Sequence, residues 1–418
     1  MSLLDLSDRI LRGEAAITDH HPFSPSNEIE EVGDRVAFVQ SFANVTVIGS
    51  GDGLCLVDTG SAFSAGLVHD AVRRWTNERA STAVYTHGHI DHVFGTAAFE
   101  AEGPINVVGH EAVDPRFDRY IKTAGYNGVI NQRQFRAPGL RWPVEYRRPD
   151  TTYADRLDLN LGGTAIELHH ARGETDDHTW VWVPDRKVLC TGDLIIWCTP
   201  NAGNPQKVQR YAEDWAVALR AMAALEPELL LPGHGLPVAG AANVQMVLLD
   251  TATVLETLAA QTLALMNEGA RLNDILHTVR VPDGLLEKPY LRPIYDDPEF
   301  IVRNLWRLYG GWYDGNPSNL KPAPERSLAA ESAALAGGPD ALAARARELV
   351  AAADDESLRL AGHLAEYAAL AAPESATAPA ARAVVFAARA AAEPSLMAKG
   401  VFSWAEAESR DRAEKLRT

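Results

Sequence analysis

The stretch Tyr85–Gly95, "YTHGHIDHVFG", places His87, His89, Asp91 and His92 within six positions. Imidazole and carboxylate are the donors that take up zinc, with manganese and iron also served. A lone histidine is usually structural, whereas four such donors this close are what a metal centre needs. In the H-x-H-x-D-H spacing the first two histidines can serve one ion, and Asp91 with His92 a second. Two ions need more donors, and three later segments offer them. These are Glu174 and His178 in "HHARGETDDHTW", Asp193 in "LCTGDL" and His234 in "LLLPGHGLP". The chemistry of such a pair is hydrolysis, because a bound water has its pKa lowered from about 15.7 to about 7 and supplies hydroxide at neutral pH. Asp91 is the candidate catalytic residue, able to hold a metal and to orient that hydroxide or receive its proton. Sulfate, phosphate and carboxylate esters are served equally, so the donors give a reaction type and leave the substrate open.

Donors from four segments converge only if their elements end side by side. Short β-rich runs at 44–48, 54–58, 83–86, 105–108, 164–169, 179–183, 187–191 and 228–231 read as strands. Amphipathic patterns at 65–80 and 212–226 read as helices between them. That alternation predicts a layered α/β domain with the donors just past strand ends. Residues 110–160 are less regular and read as long loops of the kind that build substrate sites. Beyond 245 the composition turns helical, with one long run over 244–269 ended by Gly269 and an Ala-rich stretch over 326–392. The expected domains are 1–245, a helical 246–395 and a C-terminal tail over 396–418, whose last segment, "RDRAEKLRT", is charged and expected to fray.

The 418 residues carry a net charge of −17, which argues against nucleic acid or an anionic membrane as partner. Three unpatterned cysteines point to a reducing compartment without disulfides. Neither a leader peptide nor an apolar run of transmembrane length is recognisable, and a cytoplasmic location is expected.

THGHIDH, then a Gly-ligand segment, then TGD, then PGHG, in that order, resemble the metallo-β-lactamase superfamily over roughly 30–240, and "LVDTG" (56–60) matches its early strand-end motif. The resemblance implies an αββα sandwich with a dinuclear site on one edge. It makes Asp58 a hydrogen-bonder that supports the ligand loop. Most of the superfamily has His where this chain has Glu174; the alkyl-sulfatase branch has Glu there and an acidic residue nineteen positions on, where Asp193 stands. "GWYDGNP" (311–317) is similar to the start of that branch's dimerisation domain, and the Ala-rich helices after it fit the same domain. Carried over, His87, His89 and Glu174 would hold one ion and Asp91, His92 and His234 the other, with Asp193 bridging. His178 in place of Glu174 is the competing ligand. A redox-active di-iron centre is the remaining alternative, and His89 stands where the oxygen-reducing relatives carry Glu.

The resemblance implies two zinc ions, a small-molecule ester substrate and a homodimer. For the substrate's charge the loops offer Arg133, Asn201, Lys207 and Arg210. Gln206 and Lys207 fall near the place where the branch carries an Arg. Tyr126, Trp142, Tyr153 and Trp197 are candidates either for an alkyl channel or for core packing. Trp306, Tyr309, Trp312 and Tyr313 are candidates for domain packing or an interface. The family's larger members carry a further lipid-binding domain that is not recognised here. Three functions are expected in turn: a zinc-dependent alkyl-sulfatase-like hydrolase; a hydrolase of another ester such as a lactone, thioester or phosphodiester; and a non-catalytic metal-binding dimer scaffold.

Overall fold

In the computed structural model, which describes residues 1–417, two compact units are present. The first comprises residues 1–124 and 142–312 and the second 125–141 and 313–417.

The first unit is built on two sheets. One runs in chain order through Ile29–Gly33 (β1), Val36–Val39 (β2), Val45–Ser50 (β3), Gly53–Val57 (β4), Ala80–Val84 (β5), Asn106–His110 (β6) and Thr151–Tyr153 (β7). Its first four strands pair antiparallel, and β4 through β7 pair parallel. The other comprises Arg156–Leu161 (β8), Thr164–His170 (β9), Thr179–Val183 (β10), Val188–Gly192 (β11), Leu229–Pro232 (β12) and Val238–Ala239 (β13), with only β11 and β12 parallel.

Strand side chains alternate between faces, so each strand feeds two layers. In β4, Cys55 and Val57 join a core shared with Ile166, Leu168, Val181 and Leu189 of the second sheet. Leu54 and Leu56 point the other way, onto Val68 and Val72 of helix Ala65–Trp75 and Val113 and Phe117 of helix Val113–Lys122. Helices Ala212–Ala223 and Ala241–Asn267 cover the second sheet through Trp215, Leu219, Met222, Val247 and Leu248. The architecture is an αββα sandwich followed by helices.

Three expectations need correcting. The compact units do not part at 245. Helices Ala241–Asn267 and Pro298–Gly310 bury Val247, Leu255, Leu258, Ile301 and Leu305 in the same core as the second sheet. A change to helical composition there marks an outer layer of the sandwich. Residues 110–160 also hold more structure than loops: helices Val113–Lys122 and Ala124–Phe135 precede an irregular 136–150. And the expected tail is ordered through Lys415, because Leu396–Lys415 is a helix capped by Ser395 with Met397, Gly400, Ser403, Ala405, Ser409 and Ala413 buried; residue 418 lies outside the described residues. Small residues let it pack closely, and Arg382 secures it by donating to the Ala405 carbonyl at 2.9 Å and Ser409 Oγ at 2.5 Å.

The second unit is helical. Its interior is made largely of alanine, with Ala333, Ala343, Ala368, Ala378 and Ala381 around Leu342. Helix Glu325–Ala336 ends at Gly337 and Gly338, with φ of 88° and 116°, and Pro339 starts the next helix, Pro339–Val350. Among the described residues, no helix is long and apolar enough to cross a membrane.

Candidate metal centre

β4 and β5 are parallel neighbours, so their C-terminal ends open on the same edge of the sheet. Asp58 follows β4 with φ of 60°, a conformation that costs a non-glycine residue and that persists where its surroundings fix it. Here Thr86, just past β5, donates to Asp58 from its backbone N–H and its hydroxyl, both at 2.7 Å, and His92 Nδ1 lies 2.7 Å from Asp58 Oδ2.

These contacts orient the histidines. With Nδ1–H of His92 given to Asp58, Nε2 is left as a lone pair, and that buried atom has no hydrogen-bond partner. Since the Thr86 hydroxyl donates to Asp58, it accepts from His87 Nδ1 at 3.0 Å, and the lone pair of His87 Nε2 faces inward. His234 Nδ1 donates to the Phe42 carbonyl, again freeing Nε2. The tip of the ligand loop is tied by Gly88, whose N–H donates to buried Asp177 at 2.8 Å; Asp177 in turn faces Arg116 at 2.9 Å.

Asp193 follows β11 after Gly192, whose φ is 52°. It packs where a side chain on Gly233 would collide with it, so the PGHG turn after β12 needs glycine there. Glu174 is held from behind. Arg210 reaches Glu174 Oε1 at 2.8 Å and its carbonyl at 2.5 Å, and Asn201 Nδ2 donates to the same Oε1. Its other oxygen, Oε2, is buried without a hydrogen-bond partner and faces His89 Nδ1 at 3.6 Å and His87 Nε2 at 3.7 Å.

Two donor groups result: His87, His89, Glu174 and Asp193, and Asp91, His92 and His234. Asp193 lies between them, with Oδ2 at 3.7 Å from His87 Nε2 and 3.3 Å from His234 Nε2, and Oδ1 at 3.4 Å from His92 Nε2. Asp91 Oδ2 stands 3.6 Å from His234 Nε2 and 3.8 Å from His92 Nε2. A tetrahedral shell with bonds of about 2.0–2.1 Å separates its donors by roughly 3.3–3.4 Å, so most of these separations suit a cation in the gap. His87 Nε2 and His89 Nδ1, at 2.7 Å, would have to part slightly.

Electrostatics support the fit. Burial holds His87 and His89 well below the ordinary histidine value, so they present neutral lone pairs. Burial and the charge of Asp193 push Glu174 well above the ordinary carboxylate range, against the pull of Arg210. Burial opposes the ionisation of Asp193 as well, but the charges of His234 and His92 prevail and lower it. Burial likewise opposes a charge on His92, yet Asp193, Asp58 and Asp91 together raise it, a pull toward positive charge that either a proton or a cation at Nε2 would satisfy. Orphaned lone pairs on His92, Glu174 and Asp193 are each costly when buried. Cations would compensate all of them, and the residues fit metal binding.

The expected site residues divide into three kinds. All seven metal candidates come together. His178 does not join either group: its Nε2 lies 2.9 Å from the Thr191 carbonyl, and its ring stacks 4.9 Å from that of His87. Of the four substrate candidates, Asn201 and Arg210 face Glu174. Lys207 is half-buried, and burial beside Arg210 lowers its ammonium to about 8, with Asp91 and Glu174 opposing. Arg133 lies on helix Ala124–Phe135, in the second unit from residue 125 onward. Among the aromatics, Trp197 and Tyr153 are core residues, donating to the Leu236 carbonyl and to Thr179 Oγ1. Trp142 packs on Phe63, and Tyr126 and Trp312 are exposed. Asp177, Arg116 and Asn44 escaped the sequence reading. Asn44, which holds the PGHG turn through the Pro232 and Gly235 carbonyls, had no motif to announce it.

Known proteins match this chain over both its sandwich and its later helices. The metallo-beta-lactamase superfamily model matches residues 39–234, and the alkyl sulfatase dimerisation model matches 271–412. Over these two segments the chain resembles the metallo-β-lactamase superfamily and its alkyl-sulfatase-like branch. It is 27% identical over 318 residues to a linear primary-alkylsulfatase of Pseudomonas sp. (strain ATCC 19151), covering 69% of this chain and 60% of that protein. It is 28% identical to an (R)-specific secondary-alkylsulfatase of Pseudomonas sp., covering 77% of this chain and 54% of that protein. The chain thus spans about half to three-fifths of these relatives' length. The structure of a stereoselective inverting sec-alkylsulfatase from Pseudomonas sp. superimposes with a TM-score of 0.81 at 23% identity, over 92% of this chain and 66% of that one, and so shares the fold.

Proposed function

We propose that the protein hydrolyses alkyl sulfate esters at two zinc ions. One ion would be held by His87, His89 and Glu174 and the other by Asp91, His92 and His234, with Asp193 between them. The observation that carries the reading is Glu174. By resemblance it stands at the alkyl-sulfatase ligand position, and its Oε2 faces two imidazoles while its Oε1 is fixed from behind. When bound, such ions supply Lewis acidity and water that ionises near neutral pH.

The chain's own residues do the rest. Asp58 and Thr86 fix the tautomers of His92 and His87, so that lone pairs point into the site without rearrangement. Asp91 is the carboxylate most open to substrate, with its side chain 18% exposed against 6% for Asp193 and 2% for Glu174. That exposure suits it to orient the attacking water and to receive a proton at Oδ2. Lys207 would offset the charge of the sulfate group. A homodimer is part of the proposal, supported by the dimerisation segment. So is a cytoplasmic location, supported by three buried free thiols.

The test is inorganic sulfate release from primary and secondary alkyl sulfates by zinc-reconstituted protein. Release is expected, with loss of at least 100-fold in His87→Ala. A zinc-replete protein that releases no sulfate but cleaves a lactone, thioester or phosphodiester would overturn the sulfatase reading and keep the hydrolase.

A further inference from the structure

The loop from Thr199 to Tyr211 carries both residues that hold Glu174 Oε1, namely Asn201 and Arg210. Within the loop, Ala202 N–H donates to the Pro200 carbonyl at 2.6 Å and Lys207 N–H to the Asn204 carbonyl at 3.2 Å. Its backbone is also bound by a later part of the same unit, residues 291–304. Thr199 N–H donates to the Arg292 carbonyl at 3.0 Å and its hydroxyl to the Leu291 carbonyl at 2.7 Å. Asp296, fully buried, accepts the N–H groups of Gly203 at 2.7 Å and Asn204 at 3.1 Å. Asn304, on helix Pro298–Gly310 and 5% exposed, donates through Nδ2 to the carbonyls of Ala202 at 2.7 Å and Arg210 at 3.2 Å. Gly203 packs so closely on Phe300 and Ile301 that any side chain there would collide with them.

These contacts form one chain. Asp296 and Asn304 fix the backbone just after Asn201 and at Arg210; the Asn201 and Arg210 side chains fix Glu174 Oε1; and that leaves Oε2 aimed at His87 and His89. We infer that Asn304 and Asp296 are positioning residues for the Glu174 metal site, so that a helix matched by the dimerisation model also sets the affinity of one of the two ions. This rests on the metal reading above. Outer supports of a metal ligand typically change affinity by about 10–100-fold when removed.

The experiment is zinc binding by the full-length protein in competition with a chromophoric chelator, alongside thermal unfolding. Asn304→Leu keeps the branched heavy-atom shape and removes both donated hydrogen bonds, together with the acceptor for Arg307. It is expected to weaken one zinc equivalent about 10–100-fold and leave the other unchanged. Arg382→Gln is the control. Arg382 donates to the Ala405 carbonyl and to Ser409 Oγ in the second unit, and its variant is expected to melt earlier with both zinc affinities intact. In a Glu174→Gln background, Asn304→Leu is expected to cause no further loss, since the two act through one carboxylate. Wild-type affinity for both equivalents in a folded Asn304→Leu protein, or additive losses in the double variant, would overturn the inference. Wild-type protein that takes up no zinc at all would overturn the metal reading, and the inference with it.

Discussion

Glu174 and His178 lie four residues apart on one loop, and both are buried. What separates them is the direction of their donor atoms. His178 spends Nε2 on the Thr191 carbonyl, and its other ring nitrogen joins neither donor group, whereas Glu174 Oε2 faces His87 and His89. Glu174→Ala is therefore expected to lose one of two zinc equivalents by metal analysis, while His178→Gln keeps both and loses about 1–3 kcal/mol of stability. Lys207 gives a prediction in pH. Its ammonium is lowered to about 8, so it is cationic below that pH and neutral above it. If it meets the sulfate, KM for an alkyl sulfate should rise as pH passes about 8. In Lys207→Arg, whose guanidinium keeps its charge, that rise should vanish. A KM profile that is flat to pH 9.5 in the parent protein would remove Lys207 from the substrate site.

At the scale of elements, helix Leu396–Lys415 is the sharpest case. A Cβ on Gly400 would run into the carbonyl of Gln134, on a helix of the same unit. Gly400→Val should therefore destabilise the protein by about 1–3 kcal/mol, read as a lowered unfolding midpoint, although the substitution would be harmless in a frayed tail. Its sequence hid this because Gly, Ser and Ala are small rather than apolar, and a helix buried through them carries no hydrophobic stripe. The metal loop was legible for the opposite reason. Donors need fixed chemistry at fixed spacing just past strand ends, and His87, His89, Asp91 and His92 show all of that within one segment. Asn201 and Arg210 were legible as polar residues near the site but not in their direction, since only the fold reveals that they face Glu174. The boundary at 245 misled because helix Ala241–Asn267 is as apolar as a domain core while serving as the sandwich's outer layer.

For the molecule as a whole, a net charge of −17 surrounds a site proposed to accept an anion, so attraction would have to come from the proposed cations and Lys207 rather than from the surface. The dimerisation match over 271–412 covers parts of both compact units, but the second unit shows an uncovered apolar face. Leu328 and Leu335 lie two turns apart on helix Glu325–Ala336 and are 49% and 83% exposed. Two leucines left in water along one helix face are a poor ending for a monomer and an ordinary beginning for an interface. The protein should elute near twice 45.3 kDa. Replacing both leucines by glutamate should shift it toward the single-chain mass, because two desolvated charges per face cannot be matched across a symmetric contact. Since both side chains are exposed, the far-ultraviolet dichroism of the variant should be unchanged. A parent protein that elutes at the single-chain mass would overturn the dimer, and a dimer that survives both substitutions would place its contact on another face.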